Sequence, residues 1–444
     1  MKVLVTGASG FIGSRIVQAL GRQRHEVLRL SRAGARPDDP RLIHWDPEKG
    51  ELDGAALADV DAVIHLAGEN LSGKHWNPAF KEQIVHSRVQ GTQVLLAALE
   101  KAGAKPKAFI AAAAIGIYGD RGSEELSEES PAGAGQGEGT GAAYLAQVCQ
   151  AWESATRQAS ALGCRVVQLR IGLVLGKEGG ALKRMLLPFQ LGLGGPIGNG
   201  KQYYSWISAD DLVRIFLFAL EKQDCMGVYN AVAPNPVTNA QFTASLGRAV
   251  SRPAFFPMPA FAARLAFGEM ADALLLSGQK VNPARLKAAG FTWETPFIGE
   301  AFNRILNHWE AMNAKRSLQL WFALVFAVLL GATIWASLEK NVLQAYVDLG
   351  SDRWGLATLF DAYFAFVAFG LWVAYKEGTV LKGVLWMLTL FALGNFAISG
   401  YAFWQLAKWD PKSGAAGLLL RAARPPRPLP KWQGRPAASK KRRR

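Results

Sequence analysis

The sequence predicts a doubly wound α/β sheet followed by an all-helical, apolar C-terminal segment. The chain opens with a strand, a glycine turn and a helix, and further short apolar runs at Glu26–Leu30 and Asp61–Leu66 alternate with helical patterns. Past Met312 the composition turns to long uncharged stretches. Strands alternating with helices argue for a parallel sheet covered on both faces. Uncharged runs of about twenty residues cross roughly 30 Å of hydrocarbon as a helix.

The first strand, Lys2-Val3-Leu4-Val5-Thr6, ends in Gly7-Ala8-Ser9-Gly10-Phe11-Ile12-Gly13, and Ser14 to Leu20 fits a helix. A glycine turn after a strand lets the backbone approach a pyrophosphate, and the helix start offers unpaired N–H groups and the positive end of its dipole. The following strand completes a βαβ unit of the Rossmann type. An NAD-preferring site usually carries an acid near the end of this second strand, whereas a ribose 2′-phosphate needs a cation. Here the strand ends in Ser31-Arg32 with no acid. Arg32 can fork onto phosphate oxygens and Ser31 can donate a hydroxyl, which favours NADP(H) over NAD. The bland alternatives are a solvated loop arginine and a turn that needs glycines for its own geometry.

Leu318–Ser337, Leu356–Tyr375 and Val384–Leu406 read as three transmembrane helices, the second interrupted only by Asp361. The expected organisation is a cofactor-binding domain over 1–312, with substrate-side segments mainly in 176–312. A membrane domain over 313–407 and a basic tail over 408–444 complete it. Between Lys408 and Arg444 twelve Lys or Arg face one Asp, so +11 of the formal +15 belongs to the tail. Such a proline-rich, basic segment is expected to be disordered and to attract anionic lipid. Nucleic acid is not expected, because no aromatic-basic interleaving or helix-turn-helix pattern accompanies the charge.

The three cysteines and six histidines form no disulfide framework and no metal-ligand spacing, so no metal is expected. The first residues already read as a core strand, which implies no cleavable signal and a cytoplasmic cofactor domain. Lys315 and Arg316 before the first span support that side. Three spans are then expected, with the loop Glu339–Arg353 outside and the basic tail outside as well, the tail against the positive-inside rule but weighing less than the juxtamembrane charges.

Longer strings narrow the reading: Asp61–Asn70, Lys81-Glu82 with Ser87-Arg88-Val89, Gly116-Ile117-Tyr118-Gly119, Trp152-Glu153, Leu169–Gly176 and, above all, Leu187–Gly198. The last continues through Gln202, Ser205-Trp206-Ile207 and Asp210-Asp211-Leu212, and Ala233–Asn239 and Gly278–Val281 follow. Over residues 1 to about 310 the chain resembles the atypical, extended-like short-chain dehydrogenases/reductases described as epimerase family proteins or NAD-dependent epimerase/dehydratase-like oxidoreductases. The resemblance implies a Rossmann-type sheet binding NADP(H), with a smaller C-terminal part closing a substrate cleft. By motif position it implies cofactor contacts from Gly7, Gly10, Phe11, Ile12, Gly13, Ser31, Arg32, Leu66, Ala67, Gly68, Glu82, Arg88 and Val174. Substrate-pocket candidates on the same basis are Glu69, Asn70, Lys81, Gln202, Tyr203 and Trp206. Through Trp335-Ala336-Ser337, Asp361-Ala362-Tyr363 and Leu393-Gly394-Asn395 the apolar C-terminal part resembles, less specifically, small three-helix bacterial domains of unknown function, and a bacterial inner membrane is the expected location.

The superfamily's usual chemistry uses a Tyr as acid/base, a Lys four residues on that lowers its pKa, and a Ser or Thr that orients the substrate. This chain departs from that pattern. Tyr144 stands at the Tyr position, but Val148 and Cys149 follow where the Lys belongs, and the Ser position falls in Ala111–Ala114. Tyr144 and Tyr118 remain weak catalytic candidates. Asp120–Gly141 reads as a mobile loop over the cleft, and Asp210-Asp211 as a helix N-cap. Two functions fit: a membrane-tethered NADP-dependent oxidoreductase or epimerase-like enzyme acting on a small carbonyl or hydroxyl substrate of sugar-nucleotide type, or a non-catalytic NADP(H)-binding sensor.

Overall fold

The structure, a computed structural model, describes residues 1–32, 39–133, 140–410 and 418–419. It divides into two compact units, Met1–Asn307 and His308–Arg444. The first begins with β1 (Lys2–Thr6), α1 (Phe11–Arg22), β2 (Glu26–Ser31), β3 (Leu42–Asp46), β4 (Glu51–Leu52), β5 (Ala62–His65), α2 (Pro78–Lys101) and β6 (Ala108–Ala114). It continues with β7 (Glu125–Leu126), α3 (Gly141–Arg157), β8 (Arg165–Ile171), β9 (Leu173–Leu175), α4 (Gly180–Gln190), β10 (Tyr203–Tyr204), β11 (Trp206–Ser208), α5 (Ala209–Glu221) and β12 (Gly227–Ala231). Shorter pieces follow: β13 (Val237–Thr238), α6 (Asn239–Ala249), α7 (Ala260–Phe267), a single turn α8 (Glu269–Ala271), β14 (Lys280–Val281) and α9 (Ala284–Ala288).

Eight strands form one sheet in the order β12-β8-β6-β5-β1-β2-β3-β4, parallel throughout except for β4. Alternate residues of each central strand enter different cores, as the two-residue period requires. Val3 and Val5 of β1, Ile64 of β5 and Ile110 of β6 pack with Ile16 and Leu20 of α1 and Ile215 and Phe216 of α5. Leu4, Val63 and Phe109 turn the other way, onto Leu95 and Leu99 of α2. Because β1 lies between β2 and β5, the chain leaves it in opposite directions, and a crevice opens where the connections after β1 and β5 diverge.

The helix starts are set locally. The Asn77 side chain accepts from the N–H of Phe80 ahead of α2, with Pro78 in the first position, where a missing N–H costs nothing. At α5 the cap is Ser208, which accepts from the N–H of Asp211. Asp210 and Asp211, expected as the cap, lie just inside it in the first turn, and Asp211 is buried, accepting from the backbone N–H groups of Glu294 and Thr295. The segment expected as a mobile loop is instead fastened over 120–133. Asp120 accepts from the N–H of Gly278, the Gly133 N–H donates to Ile117, and β7 pairs with β14. Residues 134–139 of that segment lie outside the described residues.

In the second unit, Lys315–Glu339 of α10 (Ile298–Glu339) and all of α12 (Arg353–Glu377) are long and apolar enough to cross a membrane. Between them runs α11 (Val342–Ser351). The third expected span, 384–406, is not one helix. It falls in α13 (Val380–Leu393) and α14 (Asn395–Lys408), each 14 residues long, separated at Gly394 with φ +56° and ψ −128°. Uncharged composition alone does not reveal a break when a single glycine supplies it. Most of the expected tail, 411–417 and 420–444, lies outside the described residues.

Candidate functional site

The crevice at the ends of β1 and β5 is built on close backbone approach. Gly7 sits at φ +64°, and a Cβ there would lie 3.1 Å from the Leu66 carbonyl carbon and the Ala67 nitrogen. A Cβ on Gly13 would meet the Gly7 carbonyl oxygen at 2.1 Å, so the turn packs onto the first turn of α1 only with glycine at both places. The Gly10 N–H donates to Gly7, and no side chain caps α1. Its first N–H groups therefore face the crevice mouth beside exposed Ser9 and Gly10. A surface depression of about 540 Å³ lies there, lined by Ser9, Gly10, Phe11, Ser14, Arg15, Gln18 and Glu178.

A buried chain of hydrogen bonds holds the second wall. Thr6 Oγ1 accepts from the N–H groups of Leu66 and Ala67, both at 3.0 Å, and lies 2.9 Å from His65 Nδ1. With those acceptances made, its single proton goes to Nδ1. His65 Nε2 therefore carries the ring proton and donates to Thr92 Oγ1 at 3.0 Å, while Thr92 donates to the Arg88 carbonyl. Burial lowers the His65 pKa to about 4, and the ring is neutral. The Arg88 guanidinium, buried over the Trp152 ring, donates to the carbonyls of Ile84 and Glu69. It packs so closely under Gly68 that a Cβ there would lie 3.2 Å from its central carbon. Arg88 thus shapes the Leu66–Glu69 turn from beneath. Thr6, His65 and Thr92 were missed in the sequence because they match no ligand spacing; their role appears only when β1, β5 and α2 are adjacent.

The remaining cofactor candidates lie on several elements of the first unit. Ser31 and Arg32 end β2, with Arg32 exposed, and Glu82 is exposed on α2. Ile12 and Leu66 are half-buried against the sheet core. Val174 lies on β9, which pairs with β11. The turn after β9 covers the helix start: a Cβ on Gly176 or Gly179 would meet the Phe11 ring at 2.3 or 2.5 Å. Arg15 pairs with Glu178 of that turn and with Asp210 of α5. These two glycines and Arg15 are a further feature sequence reading passed over.

The substrate-pocket candidates are not gathered in one place. Lys81 pairs with Glu269 and lies over the Tyr144 ring, 5.0 Å from its centre. Tyr144 donates its hydroxyl proton to the Lys81 carbonyl at 2.6 Å, and burial raises its pKa above the ordinary phenol value. Glu69 accepts from Arg88 through its carbonyl, and Asn70 closes a small turn by accepting from the N–H and hydroxyl of Ser72. Gln202 is buried and donates to the carbonyls of Ile197 and Leu275. Tyr203 stacks under Lys280. Trp206 is fully buried in the core with Leu175 and Phe242, and its indole donates to the Asn235 carbonyl.

Tyr118 lies in a closed network. Its hydroxyl donates to Asn230 and accepts from Arg170, both at 2.8 Å, and the ring is fully buried. Burial raises its pKa against the pull of Arg170. Arg170 in turn forks onto both carboxylate oxygens of buried Glu153 at 2.7 and 3.0 Å. Val148 is buried where a lysine would stand, and burial pushes the neighbouring Cys149 thiol up to about 12.

Residues 3–231 match the family model described as the NAD dependent epimerase/dehydratase family. Residues 258–305 and 306–421 match two domains of unknown function, DUF1731 and DUF1475. An epimerase family protein of Mycobacterium leprae is 45% identical over 301 residues, which cover 68% of this chain and 94% of the relative. The human epimerase family protein SDR39U1 is 40% identical over 308 residues, covering 69% of this chain and 100% of the relative. The crystal structure of its isoform 2 with NADPH superposes with a TM-score of 0.62 at 38% identity, covering 69% of this chain and 99% of that one. The nucleoside-diphosphate sugar epimerase from Corynebacterium glutamicum superposes with a TM-score of 0.56 at 34% identity, covering 69% of this chain and 58% of that one. With nearly the whole length of the M. leprae and human relatives matched and the glycine crevice in place, the chain belongs to the NAD dependent epimerase/dehydratase family.

Proposed function

We propose that the unit Met1–Asn307 is an NADP(H)-dependent oxidoreductase of epimerase-like type, tethered to a membrane by the unit that follows. The observation that carries the reading is the Gly7–Gly13 turn: the space a Cβ would take at Gly7 and Gly13 is filled by backbone, and the uncapped start of α1 faces the crevice. A pyrophosphate fits this cradle, with its charge balanced by the helix dipole. Ser31 and exposed Arg32 at the end of β2 would hold a 2′-phosphate. The human relative crystallised with NADPH supports that cofactor, and the bacterial sugar-nucleotide epimerase supports a small carbonyl or hydroxyl substrate of that class.

The nicotinamide cofactor supplies a hydride when bound. The chain's own residues would bind and orient it, through the glycine turn and the Leu66–Glu69 wall. Tyr144 is not the proton shuttle in this reading, since its proton is engaged by the Lys81 carbonyl and no cation four residues on lowers its pKa. That same observation favours a second reading, a sensor that binds NADPH without consuming it. Turnover across a panel of sugar nucleotides and small carbonyls, read both as net NADPH consumption and as conversion of the substrate with the cofactor returned unchanged, separates the two.

The direct test of the cofactor assignment is Arg32→Ala. A charge-assisted phosphate contact is worth roughly 1.5–3 kcal/mol, so NADPH affinity should fall about ten- to a hundredfold while NADH affinity stays unchanged. Equal losses for both cofactors would remove Arg32 from the site. The second unit would anchor the protein with its cofactor-binding unit on the cytoplasmic face, its apolar helices in the bilayer and its basic tail on anionic headgroups. Resistance to alkaline carbonate extraction tests the anchoring.

A further inference from the structure

We infer that Val380–Lys408 is a re-entrant helical hairpin. It dips about halfway into the membrane from the face where the chain enters and brings the basic tail back to that same face. The inference rests on the membrane reading proposed above and concerns only the unit His308–Arg444.

Length is the first argument. At 1.5 Å per residue, α13 and α14 each reach about 21 Å, short of the roughly 30 Å hydrocarbon core. Their mutual direction is the second. The ring centres of Trp386 and Tyr401 are 4.7 Å apart, and those of Trp386 and Trp404 6.1 Å apart. Along one continuous helix, Trp386 and Tyr401 would stand about 22 Å apart. The two arms therefore run antiparallel about Gly394, whose positive φ makes the reversal.

The depth of the turn follows from its neighbours. A Cβ on Gly394 would meet the Phe366 ring at 3.0 Å, and Phe391 stacks on Tyr363. Phe366 lies about 16 Å from the Glu377 end of α12 by helical rise. Phe396, just past the turn, meets Phe326, a similar distance into the Lys315–Glu339 span. A reversal at mid-membrane is tolerable only where protein covers it and its backbone groups are paired. The Phe366 ring packs on half-buried Gly394, while Leu393 and Asn395 on either side are exposed; the Gly394 N–H donates to Leu390, and its carbonyl accepts from Ala397.

The return is equally explicit. Tyr401 and Gln405 donate to the Glu377 carboxylate at 3.0 and 2.9 Å, and Lys315 donates to the carbonyls of Ala407 and Trp409. The start of the first span, the end of the second and the end of α14 therefore share one end of the unit. Trp372 donates to the Leu419 carbonyl, so Leu419 lies beside α12 as well. Lys315, Arg316, Lys376, Lys382 and Lys408 collect at this end, and eleven more bases follow Lys408 in the sequence. The connection 339–353 at the other end carries two bases and three acids. With two crossings and a hairpin, every basic segment obeys the positive-inside rule, and the conflict raised by three spans disappears.

The test uses the full-length chain with one added cysteine, Ser351→Cys or Ser439→Cys, probed with a membrane-impermeant maleimide on intact and lysed spheroplasts. The parent chain, with Cys149, Cys164 and Cys225 buried, gives the background. We expect Ser351→Cys to label on intact spheroplasts and Ser439→Cys only after lysis. Labelling on opposite sides supports the hairpin, whereas labelling of both sites on the same side overturns it. Release of the chain by alkaline carbonate would overturn the membrane reading itself, an outcome separate from either labelling pattern.

Discussion

Acidification should loosen the first unit through one side chain, His65. Its ring is enclosed between Thr6 and Thr92, with Nδ1 accepting and Nε2 donating. A proton added at Nδ1 would face a Thr6 hydroxyl whose oxygen already accepts two backbone N–H groups. The folded pKa of about 4 lies below the ordinary 6.5. The unfolded chain therefore takes up a proton from pH 6.5 downward while the folded chain does not. Stability is fully present above pH 6.5 and is lost as pH falls toward 4. At 1.36 kcal/mol per pH unit the full loss is about 3 kcal/mol, of which about 2 is reached by pH 5. That is a large share of a typical 5–15 kcal/mol. Peptide-resolved hydrogen exchange over residues 62–67 of the full chain, at several urea concentrations, would measure it. His65→Gln should cost stability at pH 7.5, and its deficit relative to the unsubstituted protein should shrink by about 2 kcal/mol at pH 5. Parallel pH profiles for the two proteins would refute the reasoning.

Other substitutions test separate parts of the fold. Gly13→Ala places a Cβ 2.1 Å from the Gly7 carbonyl oxygen, so NADPH binding, followed by nucleotide fluorescence, should weaken by about tenfold or more while far-UV circular dichroism is retained. Glu153→Gln leaves the buried Arg170 guanidinium without its carboxylate, and should cost about 3–5 kcal/mol in the same exchange experiment. Tyr144→Phe should lower any measured turnover by less than about tenfold, against a hundredfold or more for a positioned acid/base. A larger loss at unchanged NADPH affinity would return Tyr144 to the chemistry.

The parts of the enzyme unit legible in the sequence are those governed by local rules. β1, the glycine turn and α1 follow one another within about twenty residues, and each glycine answers to a steric requirement visible in the spacing. Residues whose meaning depends on distant neighbours were harder to read. Trp206 and Gln202 stand in a string typical of the family, yet a string does not distinguish a side chain facing a pocket from one holding the core. Trp206 packs against Leu175 and Phe242, while Gln202 satisfies two carbonyls contributed by Ile197 and Leu275. Arg88 has the charge of a phosphate ligand, but its buried position on α2 makes it a brace for the Gly68–Glu69 backbone. The loop over 120–133 has the composition of a mobile segment, and the bond from the Gly278 N–H to Asp120, 158 residues away in sequence, fastens it.

The apolar C-terminal part shows the same limit in a different form. Hydropathy measures whether a segment prefers lipid, and on that measure 384–406 reads as a third apolar run beside 318–337 and 356–375. It carries no information on direction, because a glycine within an apolar run is compatible with both a straight helix and a reversal. Direction is set by which rings meet, and Trp386 against Tyr401 is decisive there. The charge pattern held the missing information in an indirect way. In the membrane reading proposed above, three crossings would leave the basic tail on the side the positive-inside rule disfavours, and two crossings with a hairpin would not. Where juxtamembrane charge and hydropathy disagree, helix length supports the proposed hairpin: 14-residue arms fall short of a bilayer's hydrocarbon core, and a return to the same face would reconcile that length with the charges.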